Sequence, residues 1–228
     1  MTGMRRQPEP EYMDDAREAE VYALADFGEV NEAFAARLAE HWAACGGGTQ
    51  APARAVDLGT GPGDIPVRVV RRMPAWQVTA VDASAAMIAF ARTAAGEAGL
   101  GDRIRPVLAD AKGTGLPAGA FDVVFSNSIL HHINEPGALW AEVRRLARPG
   151  ALVFFRDLAR PDSRAAARAI VARYAGGEPE LLQDEYYRSL LASYTVEEVR
   201  VQLDGAGLGA VRVAMATDRH LDIWGPAP

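Results

Sequence analysis

The sequence predicts a single α/β domain whose sheet is mostly parallel and is covered by helices on both faces. One observation is an alternation: short, almost wholly apolar runs, such as residues 151–155, are separated by stretches with helical spacing. Such runs are typical of strands buried on both faces of a parallel sheet. The other observation is size, because 228 residues, 49% of them hydrophobic, suit one large α/β domain better than two small ones.

The first predicted element is helical and precedes the sheet. After a polar, proline-bearing start, residues 15–45 repeat apolar side chains at helical spacing, as at Phe34 and Leu38. Three glycines from Gly46 end this pattern. We therefore divide the chain into a helical N-terminal extension, residues 1–50, and a main domain, residues 51–228.

Strands and helices then alternate through the main domain. Asp64 and Ser84 are placed as N-caps of the first two helices, and Pro149 with Gly150 ends the third. Parallel strands need such crossover helices between them. The strands are predicted at residues 53–58, 77–81, 104–108, 121–125 and 151–155, and the helices at residues 64–72, 84–98, 136–147 and 162–174.

The C-terminal part has a different pattern. Residues 176–184 are acidic and predict irregular structure. Thr195 and Glu198 form a capping box that opens a helix closed by Gly205 or Gly207. Residues 211–216 alternate like a strand, and residues 220–224 can pair back with it in the antiparallel sense after a turn.

Composition excludes several classes of protein. A net charge of −6 and a pI of about 5.3 disfavour nucleic-acid binding. The lone cysteine, Cys45, allows no disulfide within the chain, and no cysteine and histidine spacing predicts a metal site. The chain shows neither a signal peptide nor a membrane-spanning run. We therefore expect a cytoplasmic protein with no bound metal and no membrane partner; an oligomer remains open.

A glycine-rich turn, AVDLGTGPGDIP at residues 55–66, follows the first strand and requires a ligand that approaches the backbone. A nucleoside triphosphate loop would close with Gly-Lys-Ser/Thr, and no lysine is present. A dinucleotide fingerprint would place its third glycine at position 64, where Asp64 would repel the pyrophosphate. Both interpretations are therefore weak.

Three carboxylates at strand ends indicate a different ligand. Asp57 lies at the end of the first strand, and Asp82 and Asp110 follow the next two; the carboxyl ends of these strands share one edge of the sheet. S-adenosylmethionine fits this edge, because it carries a sulfonium, an ammonium group and a ribose diol that a carboxylate can bind. Alternatively, each aspartate is only a cap at the end of its strand.

Five segments in order resemble a known family. They are VDLGTGPGDIP, VTAVDASAAMI, VLADAKGTGLP, FDVVFSNSILHHI and VRRLARPGALVFFRDL. The stretch from Asp57 to Phe155 is similar to class I S-adenosylmethionine-dependent methyltransferases, in the small-molecule branch with the ubiquinone and menaquinone biosynthesis enzymes. The resemblance implies a Rossmann-like sheet of seven strands, mostly parallel with the last antiparallel, and methyl transfer to oxygen, carbon or nitrogen of a small-molecule acceptor.

The resemblance also implies cofactor contacts. Gly59, Gly61 and Gly63 would let the backbone pass beneath the methionine moiety, Asp57 would orient its ammonium end, and Asp82 would hold the ribose hydroxyls. Ala83 and Met87 would line the adenine, Asp110 and Ala111 would meet its amino edge, and Ser126 and Asn127 would flank the methionine carboxylate and the methyl group. Met87 could equally be helix core.

Candidates for the acceptor side follow the fourth and fifth strands. In-line displacement needs a base only if the acceptor must lose a proton. The candidates are His131 and His132, and we predict His131 as the base. Alternatively, one histidine caps the next helix and the other packs, and this interpretation is preferred for His132. Asp157 could orient a polar acceptor, although a strand-end cap is its simpler role. Tyr12, Tyr22, Tyr186 and Tyr187 lie in the segments expected to form a lid, with surface packing as the alternative.

Two other functions remain open at this stage. A protein or RNA methyltransferase is disfavoured by the acidic balance and by FSNS standing where a catalytic Asn-Pro-Pro-Tyr motif would fall. A non-catalytic cofactor-binding protein on the same fold is the second alternative. We also expect the N-terminal extension to form a lid over the cleft, with a dimerisation arm as the alternative.

Overall fold

A computed structural model describes residues 4–10 and 27–228. Its core is a seven-stranded sheet in the order β3-β2-β1-β4-β5-β7-β6. The first five strands are parallel, and β7 lies antiparallel between β5 and β6. The strands are β1 (Ala53–Leu58), β2 (Trp76–Asp82), β3 (Ile104–Leu108), β4 (Phe121–Asn127), β5 (Ala147–Leu158), β6 (Arg212–Met215) and β7 (His220–Pro226).

Helices cover both faces of the sheet, as the sequence predicts. The described helices are α1 (Gly28–Ala44), α2 (Asp64–Arg72), α3 (Ala85–Glu97), α4 (Pro136–Leu146), α5 (Arg164–Ala175), α6 (Glu180–Ala192) and α7 (Val196–Gly205), with a 3-10 turn at Leu130–His132. Within the described ranges no helix has the length and apolar character needed to cross a bilayer.

Alternate residues of the central strands face two separate cores. Val56 and Leu58 pack with α4 and α7 on one face, whereas Ala55 packs with α1 and α2 on the other. Every residue of β1 except Arg54 is buried. A strand buried on both faces has no side that faces solvent, which is why the sequence of β1 is mostly apolar and does not alternate between polar and apolar residues.

Helix α1 is an integral layer of this core. Phe34 and Leu38 are fully buried, and the Phe34 ring lies 4.9 Å from the ring of Phe154 on β5. The part of the predicted extension that the structure describes therefore contributes to the core of the main domain. Tyr12 and Tyr22 lie outside the described residues.

The structure differs from the predicted elements in three places. Residues 180–192 form helix α6 where irregular structure was predicted to continue, because Pro179 fixes the entry and Glu180 favours the first turn. Strand β5 begins at Ala147, earlier than predicted. Gly63, in the left-handed conformation, is the N-cap of α2 in place of Asp64, whereas the caps at Ser84 and Thr195 are confirmed.

The strand order places a cleft at one edge of the sheet. The chain proceeds outward from β1 to β3 on one side and from β4 to β5 on the other. In parallel sheets, ligands bind at the carboxyl ends of the strands beside such a switch point. All of the strand-end carboxylates singled out from the sequence lie at this edge.

Candidate active site

A cleft of about 320 Å³ opens above the carboxyl ends of β1, β2 and β4. This volume is within the range of small-molecule pockets. It brings together nine of the eleven residues that we expected to bind the cofactor. They are Asp57, Gly59, Gly61, Asp82, Ala83, Met87, Asp110, Ala111 and Asn127.

The glycine turn forms the floor of this cleft. Gly59, Gly61 and Gly63 have φ angles of 73°, 55° and 90°, a region that residues with side chains rarely adopt. A Cβ on Gly59 would lie 2.7 Å from the Ile129 side chain, and one on Gly63 would lie 2.8 Å from the Ala91 backbone. These two glycines are therefore required by the protein's own packing.

Gly61 differs from its neighbours, because a Cβ there would meet nothing within 4 Å. The residue lines the cleft, so an added side chain would project into the open space of the cleft. Gly61 is thus the glycine whose small size serves the cleft rather than the fold.

Asp82 holds the glycine turn in place. Its Oδ2 accepts a hydrogen bond from the Gly61 amide at 2.8 Å, and its Oδ1 accepts one from the Ser84 amide at 2.9 Å. Burial raises the pKa of this carboxyl, against the lowering effect of these backbone hydrogen bonds. Each oxygen keeps a lone pair that can accept from a diol.

Asp57 is a buried carboxyl beneath the turn, only 1% exposed. Burial raises its pKa from 3.8 to about 7; the Thr60 hydroxyl, which donates to Oδ2 at 2.7 Å, opposes this shift, and the nearby charge of Asp82 adds to it. No cation among the described residues pairs with this carboxyl. A positively charged ligand group would therefore stabilise its ionised form.

Asp110 belongs to a turn that it also caps. Its Oδ1 accepts from the Lys112 amide at 2.8 Å, and its Oδ2 lies 3.2 Å from the Lys112 ammonium group. The capping role considered from the sequence is therefore real, and it coexists with a place on the wall of the cleft.

Two expected cofactor ligands do not line the cleft. Ser126 is fully buried and its hydroxyl donates to the Leu58 carbonyl at 2.5 Å, which ties β4 to β1. Gly63 packs against α3, as described above. Ser128 lines the cleft instead, and it is the one non-glycine residue with positive φ, 64°, in the described chain. Strain of this kind clusters at functional sites.

His131 is buried in the 3-10 turn after β4, and it does not line the cleft. Its Nδ1 lies 2.5 Å from Oδ1 of Asp157, and the other Asp157 oxygen accepts from the Leu130 amide at 2.6 Å. Burial lowers the pKa of His131, but the charge and hydrogen bond of Asp157 and the charge of Glu9 outweigh it and raise the pKa. Asp157 therefore holds the turn, and this geometry does not favour His131 as the base.

His132 is the histidine that lines the cleft. Its side chain is 30% exposed, and its Nδ1 lies 3.1 Å from Oε1 of Glu9. Glu9, His131 and His132 place one ligand atom each within 4.8 Å of one another, a spacing that could hold a metal ion.

Tyr186 and Tyr187 pack on α5 rather than lining the cleft. Burial raises the pKa of Tyr186 to about 12. Their hydroxyls are buried and find no hydrogen-bond partner among the described residues. The packing alternative therefore describes these two residues better than an acceptor contact.

The start of α1 and the residue before it form a wall of the cleft that was not predicted from the sequence. Phe27, Gly28 and Asn31 line the cleft, and the Asn31 amide donates to Asp64 at 2.8 Å across it. Arg68, one turn along α2, binds the same Asp64 carboxylate at 2.7 Å. The polar break in the apolar pattern near Asn31 was the one available signal.

Comparison with known proteins agrees with this geometry. Residues 56–155 match the methyltransferase domain family. The ubiquinone biosynthesis O-methyltransferase of Caulobacter vibrioides is 34% identical over 122 residues, which are 52% of this chain and 46% of that protein. The trans-aconitate 2-methyltransferase of Streptomyces avermitilis is 37% identical over 107 residues, 45% of this chain and 38% of that protein. The chain thus matches less than half the length of these two relatives.

The fold is shared over nearly the whole chain. A crystal structure of an S-adenosylmethionine-dependent methyltransferase from Aquifex aeolicus superimposes with a TM-score of 0.67, covering 94% of this chain and 99% of that one at 18% identity. The seven-stranded Rossmann-like sheet with one antiparallel strand near its end is therefore confirmed. Residues 56–155 are therefore similar to the methyltransferase domain family, and the chain shares its fold with a solved S-adenosylmethionine-dependent methyltransferase.

Proposed function

We propose that the protein transfers a methyl group from S-adenosylmethionine to a small-molecule acceptor. The observation that carries the proposal is the meeting of the Gly61 turn with the carboxyls of Asp57, Asp82 and Asp110 around one cleft. Bound S-adenosylmethionine would supply an electrophilic methyl group attached to a sulfonium.

The residues present fit this cofactor. Asp57 is a buried carboxyl with a raised pKa and no cationic partner among the described residues. A ligand ammonium group beside it would offset the free-energy cost of ionising this buried carboxyl. Asp82 presents two oxygens that can accept from vicinal hydroxyls. A dinucleotide or triphosphate would instead bring phosphate charge towards these carboxyls, at a cost in binding free energy.

The remaining task of the chain is alignment and exclusion of water. In-line displacement requires the acceptor atom to be held opposite the sulfur, and alignment of this kind supplies on the order of 7–11 kcal/mol. Phe27 and Ile129 give the cleft an apolar wall beside its polar floor. These side chains suit an organic acceptor that packs against them.

A small-molecule acceptor is favoured over a macromolecule. The two relatives are named for ubiquinone biosynthesis and trans-aconitate. The net charge of −6 opposes attraction of a nucleic-acid backbone. We propose oxygen as the methylated atom, in keeping with the O-methyltransferase relative and with an imidazole on the cleft wall that can accept an O–H proton.

Two measurements test the proposal. Titration calorimetry with S-adenosylmethionine and with NAD should give heat for the first alone. Incubation with methyl-labelled cofactor and a panel of phenols, quinols and carboxylic acids should then label a small molecule. Heat with NAD and none with S-adenosylmethionine would refute the proposed cofactor. Methyl label on protein or RNA would refute a small-molecule acceptor. Binding of S-adenosylmethionine without methylation of any acceptor would favour a non-catalytic cofactor-binding protein.

A further inference from the structure

The described N-terminal segment, residues 4–10, is anchored beside the histidine turn; we call it the N-terminal arm. The Gln7 amide donates to the Leu191 carbonyl at 3.0 Å, at the end of α6. Met4 packs against the apolar cluster between α5 and α6. The arm therefore runs along α6 towards the turn that follows β4.

Arg6 fastens the arm to the turn itself. Its guanidinium donates to the His131 carbonyl at 2.8 Å and to the Ile133 carbonyl at 3.2 Å. It also donates to the Ala192 carbonyl and lies 4.2 Å from the centre of the Tyr194 ring. One side chain thus joins the arm, the histidine turn and the end of α6.

The anchored arm places Glu9 beside His131 and His132. The Glu9 side chain is 12% exposed, and its Oε1 lies 3.1 Å from Nδ1 of His132 and 3.7 Å from Nε2 of His131. The Ser189 hydroxyl on α6 donates to the same oxygen at 3.2 Å. The carboxylate is thus held from both sides.

The two neighbouring histidines are placed for different tasks. His131 lies between the carboxylates of Asp157 and Glu9 and is closed off from the cleft. His132 lines the cleft and has one ring nitrogen held by Glu9. In a neutral imidazole, a hydrogen bond that fixes the proton on one nitrogen leaves the other free to accept.

We propose that Glu9 is a positioning residue that holds neutral His132 with its proton on Nδ1, so that Nε2 can accept the proton of the methyl acceptor. The proton-accepting role rests on the proposed function; the tautomer does not. During transfer, the acceptor oxygen forms a bond to the methyl carbon, and the carbon–sulfur electron pair stays on sulfur. The acceptor proton passes to Nε2 and makes the imidazole an imidazolium. The imidazolium later releases one proton to water and becomes neutral again.

The tautomer is tested by nitrogen and carbon NMR of the imidazole rings at pH 9, where free histidine is neutral. The His132 signals are assigned with His132→Gln. Parent protein and the exposed control Glu135→Gln should show the Nδ1–H form, and Glu9→Ala should move His132 to the Nε2–H form that free histidine prefers. An Nε2–H signal in the parent, or no change in Glu9→Ala, would overturn the proposal.

Kinetics with an acceptor that the labelling panel identifies test the proton-accepting role of His132. His132→Ala should lower kcat by about 10²–10⁴-fold, the contribution of a general base. Glu9→Ala should lower kcat by a smaller factor and leave the cofactor Kd unchanged, and Glu9→Gln, whose amide oxygen can still accept from Nδ1, should recover part of the rate. A loss of cofactor affinity in His132→Ala that matches the loss of rate would make His132 a cofactor ligand and contradict the proposal.

A zinc titration of the parent and of Glu9→Ala tests the metal alternative. Stoichiometric Zn²⁺ binding to the parent that Glu9→Ala abolishes would identify the cluster as a metal centre and overturn the positioning role. Failure of the proposed function can be distinguished from failure of this proposal. In that case the protein would not bind S-adenosylmethionine, but the NMR spectra would still show the Nδ1–H form of His132.

Discussion

Asp57→Asn is the substitution for which the structure gives the most quantitative expectation. The pKa of the Asp57 carboxyl is raised from 3.8 to about 7, chiefly by burial. One pKa unit corresponds to about 1.4 kcal/mol, so ionising this group in the folded protein costs roughly 4 kcal/mol. Asparagine has nearly the same shape and carries no charge at any pH.

The direction in which stability changes with pH follows from the number of protons bound by the folded and unfolded states. Between pH 4 and pH 7 the folded parent keeps a proton on Asp57 that the unfolded chain has lost, so the parent loses stability as the pH rises through this window. The variant has no such proton. Its free energy of unfolding relative to the parent should therefore rise by about 4 kcal/mol between pH 4 and pH 8. Because the buried amide adds an unpaired donor, worth about 1–3 kcal/mol, the slope is a better test than the absolute value.

Urea unfolding of the cofactor-free protein at several pH values measures this difference. Asp102→Asn, at a carboxylate that is 81% exposed, is the matched control and should give a flat difference. The parent should also bind S-adenosylmethionine more tightly as the pH rises through 7, and Asp57→Asn should lack this dependence. A pH-independent difference in unfolding free energy between Asp57→Asn and the parent would refute the reasoning.

Four further substitutions test the cofactor contacts and the buried pair of His131 with Asp157. Asp82→Ala should weaken S-adenosylmethionine binding by about 1.5–3 kcal/mol in calorimetry, since two hydrogen bonds to a charged group are lost; unchanged affinity would remove Asp82 from the ligand. Gly61→Val and Gly99→Val carry the same left-handed backbone penalty, about 1–2 kcal/mol, at sites with open space. Only Gly61→Val should lose S-adenosylmethionine binding. An equal loss of affinity in Gly99→Val would contradict the placement of Gly61 at the cofactor. Asp157→Asn should destabilise the fold by about 3–5 kcal/mol below pH 6.5, because it breaks a buried pair with a charged histidine. The effect should diminish as the pH rises through the raised pKa of His131, and a loss that stays constant with pH would argue against the pair.

The parts of the site that could be predicted from the sequence are those whose position depends only on residues next to them in the chain. Asp57 and Asp82 lie at the ends of their strands and the glycine turn follows β1 directly, so knowing the strands is enough to place them. The sheet was also predictable, because short and mostly apolar runs separated by helical stretches leave few alternative folds.

The parts that could not be predicted depend on contacts between distant segments. Whether His131 or His132 faces the cleft is decided by a short 3-10 turn and by Asp157, on another strand. Glu9 reaches the same place from the other end of the sequence, and its neighbours show no periodicity. Helix α6 was missed because packing against α5 stabilises it more than its own sequence pattern indicates.

The position of β7 has a consequence for how the chain folds during synthesis. The last strand inserts between β5 and β6 and pairs with β5 from Leu152 to Leu158. Until β7 has left the ribosome, the backbone edge of β5, with Phe154 and Phe155 on it, has no partner on that side, and β6 has none at all. Open apolar edges of this kind invite association between chains. Nascent chains stalled while β7 is still inside the ribosome should therefore depend on chaperones, whereas chains from which β7 has emerged should not.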